Sequence, residues 1–128
     1  MIAIDTNVFV RILIDDPEEI AQTQTARNVA RTAKQVYVPQ IVQVECVWVL
    51  ETAYRIGKSD ILRMLEHVGS NSAFVLQHAD CFASAVEMFR THNADFSDCL
   101  ILAESHAQEM TLFTFDKRLS KLTGAEMP

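Results

Sequence analysis

Two carboxylates in this chain stand in stretches that offer them no obvious partner. Asp5 is the only charge among the first ten residues, Met1-Ile2-Ala3-Ile4-Asp5-Thr6-Asn7-Val8-Phe9-Val10, and Glu45 is the only one between Lys34 and Glu51. A carboxylate desolvated without a partner costs several kcal/mol, so each needs a cation. For Glu45 the two candidates are an ion pair with an arginine such as Arg11 and a metal ion. Two further acids follow the same logic. Asp98 lies in Ala94-Asp95-Phe96-Ser97-Asp98, at the mouth of the apolar run Cys99-Leu100-Ile101-Leu102-Ala103, and Asp116 ends the run Thr111-Leu112-Phe113-Thr114-Phe115. No basic residue adjoins Asp5, Glu45 or Asp98 in sequence. Four such acids in one crevice would repel one another at neutral pH, and hard cations such as Mg²⁺ or Mn²⁺ resolve that conflict through oxygen ligation. Each acid taken alone has a plainer reading, because Asp5 can cap the helix after it, and Ser97 and Asp98 are ordinary first-turn residues.

The elements that must position these groups follow from the hydrophobic pattern. Short apolar runs near residues 1–4, 36–38, 73–77 and 111–115 read as buried parallel strands. Helices are expected over Val8–Ile14, from an Asp16 cap with Pro17 at the first position to about Lys34, from Gln40 to Ile56 with Gly57 closing it, and from a Ser59/Asp60 cap through Val68. Others start at Asp80, at Asp98 and after Asp116, and the tail from Thr123 has room for a last edge strand. This alternation gives one α/β domain over residues 1–128, with a central parallel sheet of four or five strands. Asp5 and Asp116 then end strands, at the edge where open α/β sheets bind ligands.

Composition narrows the class. With 128 residues, 49% hydrophobic content and only three Gly and three Pro, the chain can bury a real core. It has no signal-peptide pattern and no uncharged apolar stretch long enough to span a bilayer, so a cytoplasmic protein is expected. Cys46, Cys81 and Cys99 are an odd number in apolar surroundings, which suits reduced core thiols, and His78-x-x-Cys81 lacks a second pair with which to hold zinc. A net charge of −6 argues against nucleic-acid binding by bulk electrostatics. Two divalent ions would offset four of those charges. Nine of the eleven basic residues form three groups, Arg27/Arg31/Lys34, Arg55/Lys58/Arg63 and Lys117/Arg118/Lys121, which can track a phosphate backbone or serve as solvated helix faces.

Four segments together resemble the PIN-domain nucleases, and within them the VapC-type toxins of toxin–antitoxin pairs. These are Ile-Asp-Thr-Asn-Val-Phe-Val at the start, Val-Glu-Cys-Val-Trp-Val-Leu-Glu around Glu45, Ala-Asp-Phe-Ser-Asp-Cys-Leu-Ile-Leu-Ala around Asp98, and Thr-Phe-Asp-Lys around Asp116. The resemblance implies a three-layer α/β/α fold and carries the family's acidic site onto Asp5, Glu45, Asp98 and Asp116, with Asp95 assisting or replacing Asp98. It places supporting polar roles on Thr6, Asn7, Ser97 and Thr114.

The activity implied is Mg²⁺- or Mn²⁺-dependent hydrolysis of RNA phosphodiesters with one or two ions, a chemistry that needs neither a histidine base nor a serine nucleophile. The partners implied are an RNA substrate, a VapB-like antitoxin covering the acidic groove, and a second copy of the chain in a homodimer, with no membrane. Two other classes share features of this sequence. A phosphatase of the haloacid-dehalogenase type or a receiver domain also uses an aspartate after strand one, but Asp5-Thr6-Asn7 lacks the second aspartate of the former and the first strand lacks the acidic pair of the latter. A non-catalytic PIN scaffold would bind RNA or protein without cleaving.

Overall fold

Each strand of this protein is only two or three residues long, so helix packing and a few buried side chains define where the chain turns. A computed structural model describes all residues, Met1–Pro128. The chain divides into two units, Met1–Gln77 and His78–Pro128.

The first unit is an α/β arrangement in which helices flank a parallel sheet. Its elements are β1 (Ile2–Ala3), α1 (Thr6–Leu13), α2 (Ile20–Ala33), β2 (Val36–Val38), α3 (Gln40–Thr52), α4 (Lys58–Ser70) and β3 (Phe74–Leu76). The sheet order is β1-β2-β3, with Ile2 opposite Val36 and Val36 opposite Phe74. Val36 and Val38 of the central strand are buried, as a strand covered on both faces requires. Phe9 and Val10 of α1, Val47 and Leu50 of α3, and Ile61, Leu65 and Val68 of α4 supply the buried helix faces. Phe9 meets Phe74 edge-on at 5.7 Å. Gln43 is the buried polar residue that ties the sheet's carboxyl edge: its amide donates to the carbonyls of Val38 and Gln77.

Local chemistry explains where the helix boundaries differ from those read off the sequence. Asp16 accepts from the Glu18 amide and the Tyr54 hydroxyl, so it shapes a turn, and α2 begins at Ile20 instead of Pro17. Helix α3 ends at Thr52, and the reversal after it is made by Arg55 at φ 53°. Gly57, with φ −75°, does not close α3 but precedes α4 as its N-terminal cap residue, ahead of Ser59 and Asp60.

The second unit holds α5 (Ala79–Thr91), α6 (Phe96–Ala107), β4 (Leu112–Phe113), a 3-10 turn (Leu119–Lys121) and β5 (Ala125–Glu126). Phe96 of α6 sits edge-on between Phe82 and Phe89 of α5, at 6.1 and 5.8 Å, which locks the two helices together. Strands β4 and β5 pair in parallel, Leu112 opposite Ala125 and Phe113 opposite Glu126. The tail therefore forms the last strand for which the sequence left room, in a two-stranded sheet with β4, while β1-β2-β3 holds the other three strands where one sheet of four or five was expected. Leu102, Leu119, Leu122 and Ala125 make a second core beneath them. Gly124, at φ 91°, is required there, because a Cβ would lie 2.1 Å from the His106 ring, whose Nε2 approaches the Thr123 carbonyl at 2.9 Å. The expected terminal helix is only the 3-10 turn. None of the helices is long and apolar enough to cross a membrane.

Candidate active site

In the first unit, Asp5 follows β1 and caps α1. Its Oδ1 accepts from the Val8 amide at 3.0 Å, so the plainer reading of this residue is true of one oxygen and leaves the other available. Thr6, the first residue of α1, donates its hydroxyl to Glu45 Oε1 at 2.9 Å. Glu45 is exposed, in contrast to the buried carboxylate its apolar neighbours suggested, because Ile41, Glu45 and Trp48 share the face of α3 that looks outward. Arg11 is not its partner. The Arg11 guanidinium donates to Gln22 and to the Tyr54 hydroxyl and lies 3.8 Å from Asp16. Of the two candidate supports after Asp5, Thr6 is thus the one that holds an acid, while Asn7 lines a cleft of about 390 Å³ between α1 and α2.

In the second unit, Asp95 precedes α6 and Asp98 lies in its first turn, yet neither side chain accepts a hydrogen bond from the helix amides there. Ser97 makes no such bond either, so side-chain capping is absent here, while the first-turn place of Asp98 still favours the helix dipole. Asp98 is partly buried and its carboxyl is pushed above the usual aspartate range, first by desolvation and then by the negative charges of Asp95 and Asp116. No Lys, Arg or His offsets them. Asp116 follows β4 and is held twice: its amide donates to Thr114 Oγ1 at 3.0 Å, and its Oδ1 accepts from the Leu119 amide at 2.9 Å. Thr114 therefore orients the backbone on which Asp116 is carried.

Asp5 and Asp116 are built alike. Each comes within three residues of the end of a short strand, and each spends one carboxylate oxygen on an amide three residues ahead.

The PIN domain family model matches residues 2–125. This chain belongs to the PIN-domain family. It is also similar to the VapC ribonuclease of Aquifex aeolicus (strain VF5), 23% identical over 121 residues that cover 93% of this chain and 90% of that relative.

The donor chemistry of this PIN-domain chain can be weighed against the divalent ion that such an acidic set implies. The acids named above offer carboxylate oxygens only, joined by the Thr6 hydroxyl, and the set suits Mg²⁺ or Mn²⁺ better than a thiophilic metal. The cysteines beside them in sequence do not compete: Cys46 and Cys99 are buried and in no disulfide, and burial pushes the Cys46 thiol up to about 12. Cys81 turns its sulfur toward the Ala103 carbonyl. In this structure no group of three or more His, Cys, Asp or Glu side chains stands close enough together to hold a metal ion. The mutual repulsion around Asp98 is the feature that a cation would relieve.

One feature beside the acids has no counterpart in the sequence reading. Phe113 and Phe115, flanking Thr114, are 59% and 82% exposed. Phe113 ends β4 and Phe115 lies in the bend after it, so their sequence spacing alone gave no signal.

Proposed function

We propose that this PIN-domain chain is a metal-dependent endoribonuclease, the VapC-like toxin of a toxin–antitoxin pair. Asp5, Glu45, Asp98 and Asp116 are the ligands, with Asp95 assisting, for one or two Mg²⁺ or Mn²⁺ ions. The observation that carries this reading is Asp98: a partly buried carboxylate in the first turn of α6 that caps no amide, pairs with no cation and is crowded by Asp95 and Asp116. A first-turn carboxylate suits the helix dipole, but its crowding by two further acids is what a cation held there would relieve. Family membership and the full-length similarity to a VapC ribonuclease support the same reading.

A bound divalent ion supplies positive charge that polarises the phosphodiester and activates water for attack. The chain supplies the rest. Thr6 fixes the Glu45 carboxylate, the Val8 amide fixes Asp5, and Thr114 with the Leu119 amide fixes Asp116, so that donor oxygens are oriented before substrate arrives. In this proposal Ser97 and Asn7 are polar neighbours that contact substrate or ordered water. The apolar cleft between α1 and α2, walled by Val8, Ala26 and Val29 and opening at Asn7, is where a segment of the antitoxin packs. A second copy of the chain completes a homodimer, in a contact that leaves Glu45 of α3 open to the metal.

The direct test is incubation of purified protein with total RNA in Mg²⁺ or Mn²⁺ against EDTA, with end-mapping of the products. Metal-dependent internal cleavage that Asp98→Asn removes establishes the reading. Tight RNA association with no cleavage in either metal establishes a non-catalytic scaffold instead.

A further inference from the structure

A cavity of about 540 Å³ opens at the amino edge of the three-stranded sheet, where β2 begins at Val36 and β3 at Phe74. Asp5 follows the other end of β1. Every residue of the cavity wall belongs to the first unit, Met1–Gln77. The apolar part of that wall is half-buried Ile12, Leu13 and Phe74 beside buried Val36. The polar part carries Arg31, Lys34 and the His67 imidazole, and no Asp or Glu. Arg31 donates only to the neutral Asn28 side chain, and neither Arg31 nor Lys34 forms an ion pair, whereas Arg27 of the same basic group is neutralised by Asp15.

The plain account of these cations is complement to helix dipoles, since Arg31 and His67 stand in the last turns of α2 and α4. It falls short in magnitude. The ends of α1, α2 and α4 carry about half a negative charge each, felt only near the last turn, against the two full charges of Arg31 and Lys34. Lys34 adds a second mismatch. It closes α2 at φ 68° and ψ −39°, its amide donating to the Ala30 and Arg31 carbonyls. Glycine is the usual residue at such a helix end, and a lysine there is strained. Capping needs only the backbone, so the ammonium is what glycine could not supply.

We propose that this cavity binds a small organic anion, with an apolar ring system against Ile12, Leu13 and Phe74 and a carboxylate or phosphate held by Arg31 and Lys34. A mostly apolar pocket of about 300–1,000 Å³ with a few placed polar groups is the form that small-ligand sites take. The guanidinium fork matches carboxylate and phosphate alike. Phe74, with His67 edge-on at 6.5 Å, favours a flat aromatic body. An RNA strand is the poorer occupant, because successive phosphates need a longer track of cations than two. The site uses none of the acids assigned to the metal, so it does not rest on the nuclease reading.

The test is isothermal titration calorimetry of the full chain in EDTA with naphthoate and naphthyl phosphate, against naphthalenemethanol and inorganic phosphate as controls. An aromatic anion is expected to bind saturably, one per chain, and the preference between the two names the head group. The neutral alcohol should bind at least about tenfold more weakly. Arg31→Gln and Lys34→Gly should each weaken the anion on the order of tenfold. Lys34→Gly should melt no lower than the parent, because glycine relieves the strain, so its lost affinity is not lost folding. Ala30→Leu, which fills the cavity and leaves both charges, should block binding. Added Mn²⁺ should leave the affinity unchanged.

Failure of both aromatic anions to bind overturns the proposal, as does equal affinity for the neutral alcohol. Unaltered affinity in Arg31→Gln and Lys34→Gly overturns it too. Inorganic phosphate binding as tightly as naphthyl phosphate does the same, since charge alone would then be recognised. RNA cleavage in Mg²⁺ or Mn²⁺ decides the nuclease reading separately, and either result there leaves these titrations standing.

Discussion

The Thr6 hydroxyl donates to Glu45 Oε1 across 2.9 Å, so the first residue of α1 holds the carboxylate that α3 presents. Glu45 is exposed, and without that bond its side chain is free to take several rotamers. Thr6→Val keeps the β-branched shape and deletes the donor. It should lower metal-dependent cleavage roughly 10–100-fold, as removal of a hydrogen bond to a metal ligand typically does. Stability should change by less than about 1 kcal/mol, since the bond is solvent-accessible. Thr6→Ser should restore activity. Cleavage assays on the pair, with thermal melts, check this.

Asp5 has two separable duties. Its Oδ1 caps α1 through the Val8 amide, and its other oxygen is assigned to the metal. Asn caps a helix as well as Asp does. Asp5→Asn should therefore melt like the parent while losing cleavage on the order of 10²-fold or more, the scale of removing a group that stabilises developing charge. Asp5→Ala should lose activity equally and also cost about 1 kcal/mol of stability. Unchanged metal-dependent cleavage by Asp5→Asn would defeat the assignment.

Asp98 tests the repulsion itself. Its charge is opposed by burial and by Asp95 and Asp116, so the metal-free protein should gain from losing it. Asp98→Asn should melt above the parent in EDTA. It should fall below the parent when Mn²⁺ is added, because the parent gains binding energy that the variant cannot match. Differential scanning fluorimetry across a Mn²⁺ titration reads both ends. A variant that melts lower in EDTA would mean that Asp98 has a stabilising partner.

The alternation of strand and helix, and the acids that stop strands, were legible because a buried parallel strand has a continuous apolar signature and a carboxylate interrupts it visibly. What Glu45 touches was not legible. Its neighbours Val44, Cys46 and Val47 point to burial, but Cys46 and Val47 face the core while Glu45 shares the outward face with Ile41 and Trp48, and only packing decides which of two apolar helix faces is covered. Arg11 was the reasonable partner for a buried acid, yet the Asp16 turn and Tyr54, 43 residues away, claim it. The Asp16 and Gly57 boundaries failed for a related reason. A capping residue type also suits a turn, and tertiary bonds such as that from Tyr54 choose between them.

That Asp16 turn carries a pH dependence unrelated to the metal site. The Glu18 amide, the Tyr54 hydroxyl and, more weakly, Arg11 hold the Asp16 carboxyl below its ordinary 3.8, against an opposing contribution from burial. A lowered folded-state value means that the unfolded chain binds the proton more readily, so the stabilisation is present above 3.8 and is lost as pH falls through the lower folded value. Asp16→Asn should melt below the parent at neutral pH, with the gap closing at strongly acidic pH. Tyr54→Phe should lower Tm by about 5 °C without altering the response to Mn²⁺. Melting curves collected from neutral to acidic pH check the sign, and a gap that widens on acidification would contradict it.

Ile41, Glu45 and Trp48 follow one another at i, i+4 and i+7 along α3, and the two apolar members are 69% and 65% exposed. A tryptophan so open to water, on a helix whose other face is buried, is not part of the core of its own unit. It does suit the place of an aromatic anchor in a contact between copies that leaves Glu45, one turn away, open to the metal, since such anchors carry a large share of the binding energy. Ile41→Glu/Trp48→Glu should convert a dimer to a monomer in sedimentation-velocity runs. Its effect on the melting of the isolated chain should stay within about 0.5 kcal/mol per exposed substitution, because neither residue fills the core. A parent protein that sediments as a monomer at micromolar concentration would remove this role from the α3 face and leave Trp48 to a different partner.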